Sequence, residues 1–238
     1  MIRMLVSVRN VDEALAAAAF GVDYLDLKDP GSGALGGLDI GTIREILAAV
    51  RPRHPRLMIS ATIGDLPATD LDAIDHAIRD VASAGVDLVK VGVPGQGGPA
   101  ADHLLKHLAL CGRPIVPVLI ADHGIDDALF AQACALPFPA LMVDTQDKLN
   151  GSLIDHLGQP SLARLVTSAR AQGKPFGLAG ALQRRDLPEL RELKPNFAGF
   201  RSAVCDGARS GTLSVERLQA MRDALAAQRS PACTALAE

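Results

Sequence analysis

The chain contains no tryptophan, one tyrosine and six phenylalanines in 238 residues. So few rings leave no aromatic platform on which bases could stack. A basic face is missing too: acidic and basic residues are interspersed and the net charge is −3. Nucleic acid is therefore not an expected partner. No apolar run reaches the length of a membrane span, and a membrane is not expected either. The opening MIRMLVSVRN is too short for a secretory core and is followed by no small-residue cleavage site. The four cysteines (Cys111, Cys134, Cys205 and Cys233) show neither CxxC spacing nor a disulfide framework. Buried or incidental thiols in a reducing cytoplasm are the expectation. A metal constellation is also lacking. His103 and His107 lie four apart, but HLLKH holds no acid as a zinc protease motif would. No metal and no cofactor are expected.

What is present is aliphatic. Apolar residues make up 48% of the chain, enough for one substantial core. Short apolar runs recur near 4–8, 24–28, 57–63, 88–93, 115–121, 140–144, 175–179 and 197–202. Helical periodicity follows each, near 11–20, 40–50, 71–84, 100–110, 125–135, 160–172, 186–193 and 214–227. Such alternation argues for a parallel sheet. Eight beats in this length argue for a single (β/α)8 barrel over residues 1–229, followed by a frayed tail at 230–238. Asn10 is expected to cap the first helix, with Glu13 as its capping-box partner, and Gly21 to end it. The run ALAAAAF at 14–20 reads either as a homo-oligomer interface or as tight packing, with packing favoured slightly.

Chemistry gathers at the ends of strands. Side chains alternate faces along a strand. In YLDLKD the leucines suit the strand–helix layer, which turns Asp26 and Lys28 inward, about 6–7 Å apart. The same parity turns Lys90 inward in LVKVGV and Asp144 in LMVDT, and Lys148 follows in the next loop. Ser7, Ser60 and Thr62 face inward as well. They are expected either to orient substrate hydroxyls or to bond nearby backbone. Asp122 ends the fifth run and is a further site candidate. A charge on an inward face is costly unless paired. Clustered ammonium groups and partial burial would lower the pKa of at least one lysine from its ordinary value of about 10.4. That favours Schiff-base chemistry. In the seventh and eighth beats, GLAGAL and GFRSAVCDG occupy the positions where such barrels bind phosphate. Backbone N–H groups near Gly180 and Ser202, with Arg201, are expected to receive it.

Several segments carry a more specific signal: LVSVRNVDEALAA, VDYLDLKDPGSGALGG, ISATIGD, VDLVKVGV, VDTQDKLNGSLIDHL and GLAGAL. Through them the chain resembles the (5-formylfuran-3-yl)methyl phosphate synthases over most of its length. The resemblance implies a lyase that joins two glyceraldehyde 3-phosphate molecules into a phosphorylated furan, releasing phosphate and water. The product feeds methanofuran-type one-carbon carriers. It further implies Lys28 as the Schiff-base lysine, with Asp26 the acid two residues before it. Lys90 is implied in proton transfer, and Asp144 and Lys148 form the D-T-x-x-K pair. Two positions depart from the archaeal pattern: Asp29 stands in place of Asn, and Gly199–Ser202 reads G-F-R-S rather than G-V-R-G. The alternatives from the residues alone are another Schiff-base aldolase or isomerase of triose phosphates, or a sugar-phosphate-binding barrel without catalysis.

Overall fold

A computed structural model describes residues 2–33, 35–148, 150–207 and 210–226. The tail at 230–238 and Cys233 lie outside the described residues. Eight parallel strands close into a barrel in chain order. They are β1 (Arg3–Val8), β2 (Tyr24–Leu27), β3 (Met58–Thr62), β4 (Leu88–Pro94), β5 (Ile115–Ile120), β6 (Leu141–Asp144), β7 (Phe176–Leu178) and β8 (Phe197–Phe200). The seam is β1 against β8, with Val6 opposite Phe200. Among the described residues eight α-helices alternate with the strands: α1 (Val11–Phe20), α2 (Ile40–Val50), α3 (Leu71–Ser83), α4 (Pro99–Leu110), α5 (Asp127–Ala135), α6 (Leu153–Ala171), α7 (Leu187–Leu193) and α8 (Val215–Ala226). The expected fold class is the one observed.

Most elements fall where the apolar rhythm places them. The largest difference is α6, which starts seven residues before the expected 160. Pro160 marks the start of a helix well, because its fixed φ suits a first turn. An extra turn precedes it, fastened by the Asp155 carboxylate accepting from the Ser152 N–H at 2.8 Å. The two pieces join at Gly158, whose φ of +69° interrupts the helix. The α1 cap also differs in detail. The Asn10 side chain accepts from the Glu13 N–H at 2.9 Å as expected. Glu13, however, does not complete a capping box at Asn10; its carboxylate accepts from the Arg9 N–H at 3.1 Å. Gly21 ends the helix with φ +84°.

Two apolar layers hold the barrel. Leu25, Leu27, Val89, Val91, Leu141 and Val143 face the helices in the larger one, as strand parity requires. The smaller fills the interior with Leu5, Leu35, Val116, Val118, Met142, Ala179 and Phe197. Ala14, Ala17 and Ala18 are buried in the helical layer of this chain, which accounts for much of the ALAAAAF run as packing. His107 Nε2 lies 2.8 Å from the Asp75 carboxylate on α3, so it links two helices. Cys134 is buried in the core, and burial pushes its thiol up to about 11. No helix among the described residues is long and apolar enough to cross a membrane.

Candidate active site

Five charged side chains meet inside the C-terminal half of the barrel, in two tiers. In the deeper tier Lys90 Nζ lies 2.8 Å from Asp26 Oδ1, with both side chains 4% exposed or less. β2 and β4 do not pair with each other. They are bridged across β3, where Asp26 stands opposite Ser60 and Lys90 opposite Thr62. In the upper tier Asp144 ends β6 and Lys28 follows β2. Their charged atoms are 3.7 Å apart. Lys148 reaches back one helical-type turn to bond the other Asp144 oxygen and the Thr145 carbonyl. Lys28, Asp26, Asp144 and Lys148 line one narrow cleft with Ser7, Gly180, Ala181, Arg201 and Ser202. Lys90 is reached instead from a cavity of about 1400 Å³ that opens at the opposite end of the barrel. Within the cleft the amines of Lys28 and Lys148 face the carboxylates of Asp26 and Asp144.

The protonation pattern follows from these contacts. Burial pushes Asp26 up, but the charges of Lys90 and Lys28 and the hydrogen bonds from Lys90 and Ser60 together hold it below the usual carboxylate range. Burial likewise pushes Asp144 up, and Lys148, Lys28 and the Thr145 N–H overcome it. For Lys90 burial dominates. Asp26 draws its pKa back up, Lys28 repels it, and the net value falls below that of an ordinary lysine. Lys90 thus releases its proton more readily than a surface amine does, chiefly because it is buried and only secondarily because Lys28 is near.

The flanking polar groups serve these carboxylates. Ser60 Oγ donates to Asp26 Oδ1 at 2.7 Å and Ser7 Oγ to Asp26 Oδ2 at 3.2 Å. Thr62 Oγ1 donates to the Gly36 carbonyl at 3.0 Å and thereby secures the loop after β2. Asp122 accepts the backbone N–H groups of Gln146 and Asp147 at 2.5 and 2.7 Å. Asp122 thereby shapes the loop that carries Lys148. Gly180 has φ +106°, and a Cβ there would lie 2.9 Å from Thr145 Oγ1. Ala181 next to it holds φ +47°, a strained conformation for an L-residue. Ser202 opens a short 3-10 turn, Ser202–Val204. Arg201 beside it forms a buried ion pair with Glu13, whose carboxylate also has the Arg9 guanidinium 3.5 Å away.

A family model described as 4-HFC-P synthase matches residues 4–222. The chain belongs to the 4-HFC-P synthase family. A protein of Methylorubrum extorquens is 36% identical over 92% of both chains. The (5-formylfuran-3-yl)methyl phosphate synthase of Methanopyrus kandleri is 31% identical over 94% of this chain and 99% of its own. That of Methanosarcina mazei is 31% identical over 91% and 96%. Among solved structures, phosphoribosyl anthranilate isomerase from Thermus thermophilus superposes with a TM-score of 0.65 at 18% identity, covering 94% of this chain and 98% of that one. A 3-hexulose-6-phosphate synthase does so with 0.56 at 20%, covering 92% and 99%. These last two share the barrel.

The 4-HFC-P synthase match spans every candidate site residue. Two residues at this end of the barrel were not singled out for the site by sequence. Glu13 read as a helix cap, yet its side chain is 3% exposed and paired with Arg201. Leu35 sits in a Gly-rich loop but is 2% exposed, inserted into the interior layer. A Cβ on Gly92 would come within 2.9 Å of Leu35 Cδ1. A buried leucine in a loop has no periodicity to reveal it.

A stability test follows from the carboxylates. Asp26 and Asp144 take up protons less readily folded than unfolded, where the reference value is about 3.9. Below that pH the unfolded chain binds more protons, so stability present above it is lost as pH falls through the depressed native values. Lys90 acts in another window. Its lowered native value means stability rises with pH from that value up to about 10.4. The urea midpoint is expected to drop between about pH 5 and pH 3. The acid slope should be shallower in an Asp144→Asn variant.

Proposed function

We propose that the barrel condenses two molecules of glyceraldehyde 3-phosphate into (5-formylfuran-3-yl)methyl phosphate through a Schiff base on Lys28. Family membership supports a lyase of this type. The observation that carries the assignment is the placing of the Lys28 amine at the cleft wall, beside Asp144 and Lys148 and above the Lys90–Asp26 pair.

In this reading the Lys28 ammonium passes a proton to Asp144, 3.7 Å away, and the amine adds to a triose-phosphate carbonyl; the carbinolamine takes that proton back and expels water, giving an iminium. Its positive charge acidifies the neighbouring carbon. Lys90 and Asp26 act as one proton-transfer unit: Asp26, which lines the cleft, exchanges the proton with that carbon, and Lys90 behind it, 2.8 Å away, exchanges protons with Asp26. The resulting enamine attacks the second aldehyde, forming the carbon–carbon bond. Asp144 and Lys148 orient the substrates and move protons to and from oxygen. Loss of one phosphate and further water with ring closure, and hydrolysis of the iminium to free Lys28, leave the aromatic furan aldehyde, whose stability draws the sequence forward. Backbone N–H groups around Gly180 and Ser202 receive a substrate phosphate.

The test is incubation with glyceraldehyde 3-phosphate. The expected results are ultraviolet absorbance from a furan aldehyde, one inorganic phosphate per furan, and a borohydride-trapped adduct on the peptide containing Lys28. An adduct without phosphate release would indicate a simple aldolase or isomerase. No adduct at all would refute the reaction proposed.

A further inference from the structure

A buried ion pair ties the first and last loops of the catalytic end together. Glu13, in the first turn of α1, and Arg201, just past β8, are 188 residues apart in sequence. Arg201 Nη1 donates to Glu13 Oε2 at 2.5 Å and Nη2 to Oε1 at 3.1 Å, a two-pronged guanidinium–carboxylate contact. The side chains are 7% and 3% exposed. The same guanidinium donates to the Ser7 carbonyl at 3.1 Å and to the Gly211 carbonyl at 2.8 Å. Glu13 in turn accepts the Arg9 N–H at 3.1 Å.

Burying two charges is expensive, and an apolar pair of the same volume commonly stabilises a fold at least as well. Such a pair is better explained by what it positions. Here it fixes two things at once. Through Gly211 it draws in the loop that starts at Ser202. Through Ser7 it holds the strand whose hydroxyl donates to Asp26. Arg201 and Ser202 line the cleft that also holds Lys28. Glu13 does not line it. We infer that Glu13 is a positioning residue for the phosphate group of the substrate. By holding Arg201 it sets the backbone of the Ser202 turn at the distance a phosphate requires. This inference rests on the proposed phosphate position in the β7 and β8 loops.

The variant to make is Glu13→Gln, which keeps the shape and removes the charge. The first measurement is the concentration giving half-maximal borohydride trapping at Lys28, for glyceraldehyde 3-phosphate and for unphosphorylated glyceraldehyde. It should rise at least about tenfold for the phosphate ester, as a misplaced charge-assisted contact predicts, and stay unchanged for glyceraldehyde. A merely structural role would shift both. An equal shift for the two aldehydes, or none for the phosphate ester, overturns the assignment. Glu13→Asp, which retains the charge, should recover part of the selectivity. If Glu13→Gln does not fold, the Glu13→Leu/Arg201→Met double variant replaces the whole pair by apolar groups and should fold with the same loss. A folded double variant with unaltered phosphate preference overturns the inference. Calorimetric titration with inorganic phosphate separates this question from the reaction itself. If the unaltered protein forms no Lys28 adduct, the proposed reaction fails. Weaker phosphate binding in Glu13→Gln would still support Glu13, and equal binding would sink it.

Discussion

Lys28→Ala is expected to leave no borohydride-trapped adduct and to lower furan formation by about four orders of magnitude or more, the usual scale for losing a nucleophile that acts as part of a unit. The fold should survive. Asp144 keeps its bond to Lys148 and the Thr145 N–H at 2.8 Å, so no buried carboxylate is left without a donor. Intact protein mass after reduction and phosphate release give the two readings. A trapped adduct of unchanged yield in this variant would exclude Lys28 as the Schiff-base residue and shift attention to Lys148, its neighbour across Asp144.

Lys90→Met should separate chemistry from condensation. Methionine retains most of the volume and none of the charge. The Lys28 adduct is expected to form, because the cleft contacts of Lys28 do not depend on Lys90. Turnover should fall by about 10²–10⁴-fold, the range for a lost proton-transfer group. Stability should fall as well, by about 3–5 kcal/mol, because Asp26 loses its nearest cation in a buried site. Adding Asp26→Asn to Lys90→Met removes the stranded charge. The double variant should regain part of its urea midpoint and none of its turnover. Recovery of turnover along with stability would show that the pair is structural.

In both tiers the direction of the side chains was readable and their pairing was not. The inward parity of Asp26 and Lys90 follows from alternation, since the leucine or valine on each side must face the helices; Lys28 and Asp144 have such a neighbour, Leu27 and Val143, on one side only. That logic needs only local sequence, and the buried outward sets Leu25 with Leu27 and Val89 with Val91 agree with it. Family resemblance pointed to the same residues from motif alone. Partner choice was not readable. Nothing in the alternation says that Lys90 pairs with Asp26 while Lys28 pairs with Asp144, because strand stagger around the closed cylinder sets those heights. The hydroxyls show the same limit. Ser7 and Ser60 could have faced substrate or backbone, and the fold gives both of them to Asp26, with Ser60 also 3.3 Å from the Leu25 carbonyl.

Arg201 shows the divide most clearly. In sequence it was a cation beside a glycine-rich turn, a reasonable phosphate ligand. Its opposite charge came from a helix cap at the other end of the chain, brought close only when β8 closed on β1. Periodicity and spacing fixed the element order, the eight-stranded closure and which side chains point into the barrel, because these depend on short-range sterics and on burying apolar faces. The three-dimensional closure decided which charge meets which, what Asp122 and Thr62 hold, and that Leu35 fills the interior, because those contacts join residues whose separation along the chain carries no information about their separation in space.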